Sequence, residues 1–266
     1  MSTDTKGPTT MPAQLTVPTA DTHLHTVDSP GGSPPVLFLN GGFGTLRNWD
    51  RVIQHLAGKY RTVRFDARGR GKSGTSADYS MAGAVGDIGR VIEATGIEQP
   101  ILVGWSHGAT TAVRYAAQHP QQVAGLVLID GAYPIAMFDE PGKEKVRTQF
   151  RRLGWMMRIA AALGRSARMS PAEAADVVIG MDAVNGQLGP AFAALECPTV
   201  FVVGTGAHSG ATQEEMRTMR GAAAQATAAN RLVSVFATTP CNHTQILSQA
   251  PDTVVAAIDH VVPRPA

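Results

Sequence analysis

The chain has 266 residues, of which 44% are hydrophobic and 17% charged, and its formal net charge is +2. This length supports a large hydrophobic core in one or two domains, while the balanced charge and the absence of long basic runs argue against a nucleic-acid partner. Its 2 cysteines cannot supply a disulfide framework or a four-ligand zinc site.

The N-terminal residues predict a tail and not a targeting segment. Residues 1–12 lack the basic start and apolar stretch of a signal peptide, so we expect a flexible tail. Apolar runs elsewhere in the chain are far shorter than the roughly 20 residues that cross a membrane. We therefore expect a cytoplasmic protein with no membrane partner.

Short apolar runs rich in β-branched residues alternate with helix-length segments from about residue 36 onward, which is typical of a mainly parallel sheet with helices on both faces. Continuous apolar runs fit strands buried on both faces. Two earlier runs, 15–17 and 23–27, alternate in polarity and predict an antiparallel edge. The later predicted strands are 36–39, 62–65, 101–103, 126–129, 200–203 and 232–236, and the predicted helices are 48–57, 82–94, 109–118, 213–229 and 253–261.

The interval 133–196 interrupts this alternation. It has no strong strand pattern, and its best helical patterns are 150–163 and 171–181. The run Ser170-Pro171-Ala172-Glu173 provides an N-cap, a proline at the first helical position and an acid at the third. We predict a helical cap at 133–196, inserted after the sixth strand into a core formed by 13–132 and 197–266.

The run Gly104-Trp105-Ser106-His107-Gly108 matches the pattern G-x-S-x-G between a predicted strand and a predicted helix. In that context the serine occupies a sharp strand-to-helix turn, where bulky residues two positions away would collide with the backbone. The sequence therefore predicts Ser106 as a nucleophile. The alternative is an ordinary glycine-rich loop.

A serine hydroxyl is a poor nucleophile without a base. In a strand–serine–helix architecture of this kind, the acid and then the histidine follow the serine along the chain. Of the histidines after Ser106, His243 directly follows the last predicted strand and precedes the last predicted helix. We predict His243 as the general base; His119 and His260 read as a helix end and a helix surface.

Ser106 in its turn, the late His243, the glycine-rich turn at 39–44 and the loop Asp66-Ala67-Arg68-Gly69-Arg70-Gly71-Lys72-Ser73 together resemble the α/β-hydrolase superfamily. The resemblance covers about residues 36–262. It implies an α/β fold with a mostly parallel, doubly wound sheet, and a serine hydrolase that needs no cofactor and no metal. A serine at this position argues against the dehalogenase and epoxide-hydrolase branches, whose nucleophile is a carboxylate.

The position of the acid departs from the commoner family pattern. Family members most often carry it just after the strand that here ends at Gly204, but residues 205–210 contain no carboxylate. A minority of the superfamily, including some lactonases, places it after the preceding strand, and here that strand is followed by Asp130. The resemblance therefore implies Asp130 as the acid that orients His243. The alternative is that Asp130 only caps the strand end.

An oxyanion requires donors that are already aimed at it. The first expected donor is the backbone N–H of His107, the residue after the serine. The resemblance places the second in the turn after Leu39, at the backbone N–H of Gly42, with Phe43 as the near alternative.

Aromatic residues and methionines near these motifs are candidates for the substrate-binding wall, although plain packing explains those of the cap equally well. The cationic residues of the cap read as a solvated face. The glycines of the loop 69–74 formally fit a dinucleotide motif but run into further loop, so we expect a structural loop there. The candidate substrate-binding residues are Phe43, Trp105, Tyr133, Phe138, Trp155 and Met156.

The resulting hypothesis is hydrolysis of a small or medium carboxylic ester or lactone through an acyl-enzyme. The same triad could serve a C–C bond hydrolase or a thioesterase. From another class of protein, the missing carboxylate after Gly204 leaves open a non-catalytic ligand receptor built on a hydrolase scaffold. The sequence does not indicate the oligomeric state.

Overall fold

The computed structural model describes residues 11–163, 167–207 and 212–263. The tail prediction for 1–12 falls almost wholly outside these residues. The elements in chain order are β1 (Ala13–Pro18), β2 (His23–Ser29), β3 (Val36–Leu39), α1 (Asp50–Leu56), β4 (Thr62–Phe65), α2 (Met81–Thr95), β5 (Ile101–Trp105), α3 (His107–Gln118), β6 (Gly125–Ile129), α4 (Glu140–Ala162), α5 (Pro171–Asn185), α6 (Leu188–Ala193), β7 (Thr199–Gly204), α7 (Gln213–Ala229), β8 (Val233–Thr239), α8 (Ile246–Gln249) and α9 (Pro251–Val261).

One eight-stranded sheet in the order β1-β2-β4-β3-β5-β6-β7-β8 organises the fold. The strands from β3 to β8 pair in parallel, and the β1–β2 hairpin adds antiparallel pairs at one edge. The predicted fold class and the antiparallel edge are therefore confirmed.

Helices cover both faces of the sheet because the central strands are apolar on both faces. One core contains residues of α2, α3, α6 and α7, and the other contains residues of α1, α8 and α9. The alternation of side chains along a strand sends Leu37 into the first core and Phe38 into the second. Within the described residues, no helix has the length and apolarity that a membrane crossing requires.

The interval 133–196 contains three helices, and the first of them begins ten residues earlier than the apolar pattern indicates. The Asp139 side chain accepts a hydrogen bond from the N–H of Gly142, and Pro141 stands in the first turn. An aspartate N-cap and a proline in the first turn are strong helix-start signals, and apolar periodicity does not detect them. α5 begins as predicted, with the reciprocal capping box of Ser170 and Glu173.

The three helices of the interval do not form one unit. Leu188 and Phe192 of α6 lie in the main core, where the Phe192 ring packs 5.7 Å from the ring of Phe201 in β7. α4 contacts the loop after β3 instead, with the Phe150 ring 5.5 Å from that of Phe43. α6 is thus part of the sheet's own packing, and α4 and α5 are the helices that lie on the loops.

The loop 66–74 is structural, as expected from its sequence. Arg68 forms a buried ion pair with Asp87 of α2 at 2.8 Å. The Asp66 carboxylate accepts hydrogen bonds from the N–H groups of Leu46 and Lys72. Since a Cβ at Gly71 would overlap the Asp66 carboxylate, the glycine serves this close approach.

Candidate active site

Ser106 occupies the single residue between β5 and α3. Its φ of 56° and ψ of −117° lie in a region that side chains rarely adopt, at a cost on the order of 1–3 kcal/mol. The Ser106 N–H donates to the carbonyl of Ile129 at the end of β6, at 3.0 Å. The strained turn is therefore held by the neighbouring strand.

The glycines around Ser106 are required by close backbone packing. A Cβ at Gly104 would approach the backbone of Gly108, and a Cβ at Gly108 would overlap the carbonyl of Leu39 at the end of β3. The first turn of α3 thus rests directly on the ends of the strands, which explains the spacing of the G-x-S-x-G pattern.

Asp130 lies beside this turn. It has a φ of 43°, a conformation that aspartate tolerates better than most residues. A Cβ at the next residue, Gly131, would lie 2.7 Å from the Cα of Ser106, so the chain after β6 passes against the turn. The Asp130 carboxylate accepts hydrogen bonds from the Tyr133 hydroxyl at 2.8 Å and the Gly204 N–H at 3.3 Å.

Asp130 also binds His243, which is 113 residues away in the sequence, through an Oδ2–Nδ1 distance of 2.8 Å. Burial by itself raises the pKa of the Asp130 carboxyl, but the hydrogen bond and charge of His243, with the Tyr133 and Gly204 donors, lower it below its usual value. Burial and the Asp130 charge raise the pKa of Tyr133 well above its ordinary value. An ionised Asp130 therefore accepts the Nδ1 proton of His243, which leaves Nε2 as the nitrogen that can act as a base.

The residue before the serine supports this histidine. The Trp105 indole N–H donates to the carbonyl of His243 at 3.0 Å, and the two rings lie 5.4 Å apart. Within the described residues, no direct hydrogen bond joins the Ser106 hydroxyl to His243. Such bonds are often long or misaligned until substrate is bound. The hydrogen bonds with Asp130 and Trp105 nevertheless hold His243 at the carboxyl ends of the strands, where Ser106 also lies.

The turn after β3 faces the start of α3. The Gly44 N–H donates to the carbonyl of Gly41 at 3.0 Å, and a Cβ at Gly42 would lie 3.8 Å from the Cβ of His107. In the part of the chain that the structure describes, the backbone N–H groups of Gly42, Phe43 and His107 donate to no protein acceptor. The two predicted donor segments therefore lie side by side, with N–H groups available to a ligand.

Arg70 holds this turn from behind. Its Nε and Nη2 donate to the Gly42 carbonyl at 2.9 and 2.5 Å, and its Nη1 donates to the Arg68 carbonyl at 2.6 Å. Its side chain forms no ion pair with any described carboxylate, and burial lowers the pKa of Arg70 to about 10. Burial and the Arg70 charge also lower the pKa of His107 to about 3, so the ring of His107 is neutral at ordinary pH.

Four of the six candidate wall residues form two groups. Phe43 contacts the cap through Phe150, and Phe138 is half-buried at the start of the cap. Trp105 and Tyr133 are almost fully buried and contact His243 and Asp130, so the structure places them behind the site. Two contacts of the site have no signal in the sequence, because no local pattern indicates them. They are the hydrogen bond from Tyr133 to Asp130 and the contact of Arg70 with Gly42.

Trp155 and Met156 are exposed to solvent, contrary to the sequence-based expectation that they bind substrate or pack in a core. Their side chains are 65% and 50% exposed on the outer side of α4, so they neither line a pocket nor pack in a core. A cavity of about 490 Å³ lies between His107 and α5 instead. Its lining includes the apolar residues Val177 and Met181 and the acidic residues Asp78, Glu173 and Asp176. Helical periodicity identified the apolar residues of the cap but could not indicate which side of α4 faces inward.

A family model described as the alpha/beta hydrolase fold matches residues 34–171. Among curated proteins, the chain is 36% identical over 117 residues to a fluoroacetate dehalogenase from a Burkholderia species, and 37% identical over 113 residues to epoxide hydrolase B from Mycobacterium tuberculosis. These alignments cover 41% and 40% of this chain, but only 38% and 32% of the two relatives. The chain thus matches less than half the length of either protein.

Two solved structures are similar over nearly the whole chain. The enol-lactonase from Burkholderia xenovorans has a TM-score of 0.70 at 19% identity, over 91% of this chain and 97% of that one. A thermophilic esterase from Thermogutta terrifontis has a TM-score of 0.72 at 20% identity, over 96% of this chain and 100% of that one. At these identities the similarity establishes the fold.

Proposed function

Because the chain belongs to the α/β-hydrolase fold family, we propose that it is a serine hydrolase that cleaves a small or medium carboxylic ester or lactone through an acyl-enzyme. The single observation that carries this proposal is the 2.8 Å contact between Asp130 and Nδ1 of His243, beside the strained turn at Ser106. A charged carboxylate on Nδ1 is the arrangement that makes Nε2 a base for a serine hydroxyl.

In the proposed reaction, the Ser106 hydroxyl oxygen attacks the substrate carbonyl and its proton passes to Nε2 of His243. The tetrahedral intermediate collapses when the protonated His243 returns that proton to the leaving alkoxide, and the acyl group stays on Ser106. A water molecule then attacks the acyl-enzyme, again giving its proton to His243. The carboxylic acid is released and the Ser106 hydroxyl is restored.

The negative oxygen of each tetrahedral intermediate is bound by the N–H of His107 and the N–H of Gly42, with that of Phe43 as the near alternative. These groups support the role because they are close together and have no acceptor among the described residues. Donors that are already oriented need no reorganisation when the charge develops.

The nucleophile distinguishes this proposal from the activities named in the curated relatives. A dehalogenase or epoxide hydrolase of this fold attacks carbon with a carboxylate, whereas this chain has the hydroxyl of Ser106 in the turn. Acyl transfer is the chemistry suited to a serine with an adjacent base.

A fluorophosphonate probe tests the acyl-enzyme directly. We expect stoichiometric labelling of the wild-type chain at Ser106, loss of labelling and of ester hydrolysis in Ser106→Ala, and retention of both in Ser248→Ala, which alters an exposed hydroxyl on α8. Lack of labelling in the folded wild-type chain would contradict the proposal and favour a ligand receptor. Labelling without turnover of esters or lactones would direct the search to thioesters and to C–C bonds next to ketones.

A further inference from the structure

The outer face of α4 carries large apolar side chains that point into solvent. Trp155 is 65% exposed, Ile159 56% and Met156 50%, and Leu163 just after the helix is 65% exposed. Single exposed apolar residues are common, but a contiguous group marks an interaction surface. These four residues are called the α4 apolar face.

The orientation of this face follows from the inner side of the helix. Gly154 is buried against α5, where a Cβ would lie 2.7 Å from the ring of Pro171. Phe150, one turn earlier on the same side, contacts Phe43. At about 100° per residue, Ile159 and Met156 must then lie on the opposite side of the helix. The exposure is a consequence of how α4 packs, and the site at Ser106 does not use these side chains.

The same stretch is strongly cationic. Residues 145–163 include five cationic side chains and no acidic one. Arg151 contacts Glu144 at 2.7 Å, whereas Arg152 and Arg158 are exposed and have no ion-pair partner among the described residues. Such a helix, with an apolar face bordered by arginines, is typical of segments that lie in the headgroup region of a membrane.

The charge around the α4 apolar face distinguishes between two possible partners, a second copy of the chain and a lipid surface. A second copy of the chain would add its own unpaired arginines to the same small surface, where like charges repel. A planar anionic surface matches both the arginines and the apolar residues between them.

We propose that α4 binds the surface of an anionic lipid membrane, with Trp155, Met156 and Ile159 inserted between the headgroups and Arg152 and Arg158 on the lipid phosphates. The binding is peripheral, and it differs from the sequence-based expectation of no membrane partner. It does not depend on the proposed hydrolase activity.

Flotation of the full chain with lipid vesicles tests this proposal. We expect binding to vesicles of phosphatidylglycerol and phosphatidylcholine that is at least about tenfold stronger than binding to phosphatidylcholine alone, and that weakens in high salt because salt screens the charges. Trp155 is the reporter, since Trp49 and Trp105 are almost fully buried. Its emission should shift to shorter wavelength on binding, and the shift should be absent in Trp155→Phe.

Two combined variants separate the contributions, with a matched control elsewhere. Replacing Arg152 and Arg158 by Gln should weaken binding about 25-fold, from roughly fivefold for each charge. The apolar variant is Met156→Ser with Ile159→Ser, which should abolish the shift in Trp155 emission. The control variant alters exposed residues of other elements, namely Arg51→Gln, Arg217→Gln and Val235→Ser.

The proposal is overturned if the wild-type chain does not float with anionic vesicles, or if the control variant loses binding as much as the arginine variant. It is also overturned if light scattering shows a dimer that Ile159→Ser dissociates while vesicles bind neither form. In that case a second copy of the chain covers the α4 apolar face.

Discussion

Asp130 shows how one side chain can be placed by three separate parts of the chain. Tyr133 and Gly204 donate to it, and His243 meets it at 2.8 Å. These contacts lower the pKa of the Asp130 carboxyl in spite of its burial. Because its folded-state pKa is below the unfolded value, Asp130 is ionised at neutral pH and stabilises His243 in one orientation.

We expect Asp130→Asn to reduce kcat by up to about 10⁴-fold, because an amide no longer selects the tautomer in which Nε2 is a base. Steady-state kinetics on the best ester substrate measure the effect. Glu196→Gln, which changes an exposed carboxylate that accepts from Gln121, is the control and should retain its kcat. A kcat for Asp130→Asn within a few-fold of the wild-type value would show that Asp130 only caps its strand.

Arg70 is the second residue whose contacts shape the site, at the turn after β3. Three of the four residues from Gly41 to Gly44 are glycines, so the turn has little stiffness of its own. Two hydrogen bonds from Arg70 hold the Gly42 carbonyl away from the site. A carbonyl that rotated into the site would repel the oxyanion.

We expect Arg70→Met to lower kcat about 10- to 100-fold with little change in KM, because a mispositioned turn affects the charged intermediate more than the neutral substrate. The kcat of Arg70→Lys should lie between those of the wild-type chain and Arg70→Met, since an ammonium group cannot make the paired contact of a guanidinium. Kinetics combined with thermal unfolding separate positioning from misfolding. A folded Arg70→Met variant with a wild-type kcat would contradict the role.

At the scale of elements, the junctions between strands and helices place the site. α3 can begin immediately after Ser106 because glycines allow its first turn to touch the ends of β3 and β5. Helix propensity is unimportant at such a position, since glycine is a poor helix former. Packing and not propensity determines where this helix starts.

A pair of glycine substitutions tests this interpretation. Gly108→Ala should destabilise the protein by about 1–3 kcal/mol or more and reduce activity, since its Cβ would overlap the carbonyl of Leu39. Gly180→Ala, in α5, is the matched control, because nothing lies within 4 Å of its Cβ. It should be neutral or stabilise the protein by up to about 1 kcal/mol. Urea unfolding measures both, and equal effects would contradict the packing argument.

At the scale of the whole molecule, the parallel sheet brings distant segments of the chain together at the carboxyl ends of its strands. The carboxyl ends of β3, β5, β6 and β7 carry the turn after Leu39, Ser106, Asp130 and Gly204. His243 follows β8, a strand at the edge of the sheet, and reaches this group through Asp130 and Trp105. The burial that this assembly requires also affects how stability depends on pH.

The prediction for the pH dependence of stability concerns His107. Its folded-state pKa of about 3 is below the ordinary value of 6.5, so the unfolded chain binds more protons and stability falls as the pH drops through the unfolded value. A full proton corresponds to about 1.4 kcal/mol per pH unit. Urea unfolding between pH 7 and 5, roughly above the range where carboxyls titrate, should give a shallower slope for His107→Gln than for the wild-type chain. Identical slopes would show that His107 does not carry this linkage.

Local sequence patterns were sufficient for the order of the strands and of the longer helices, but they indicated neither α6 nor α8. The runs 36–39, 62–65 and 213–229 have the same bounds in the structure as in the prediction. The antiparallel edge and the turn around Ser106 were also predicted, because alternation, buried apolar runs and glycine spacing are short-range signals. The loop after Gly204, where the sequence has no carboxylate, is described only in part, because residues 208–211 lie outside the described residues.

The sequence by itself determined the fold family and which residues are candidates for the chemistry, because strand burial and the serine turn depend on neighbours along the chain. Only the tertiary structure decided which face of α4 is outside, that Tyr133 and Gly204 surround Asp130, and that Arg70 holds Gly42. These contacts join residues of different elements, and apolar periodicity has the same form whether a helix face meets protein or solvent. Their position is set by the packing of the whole sheet and its helices.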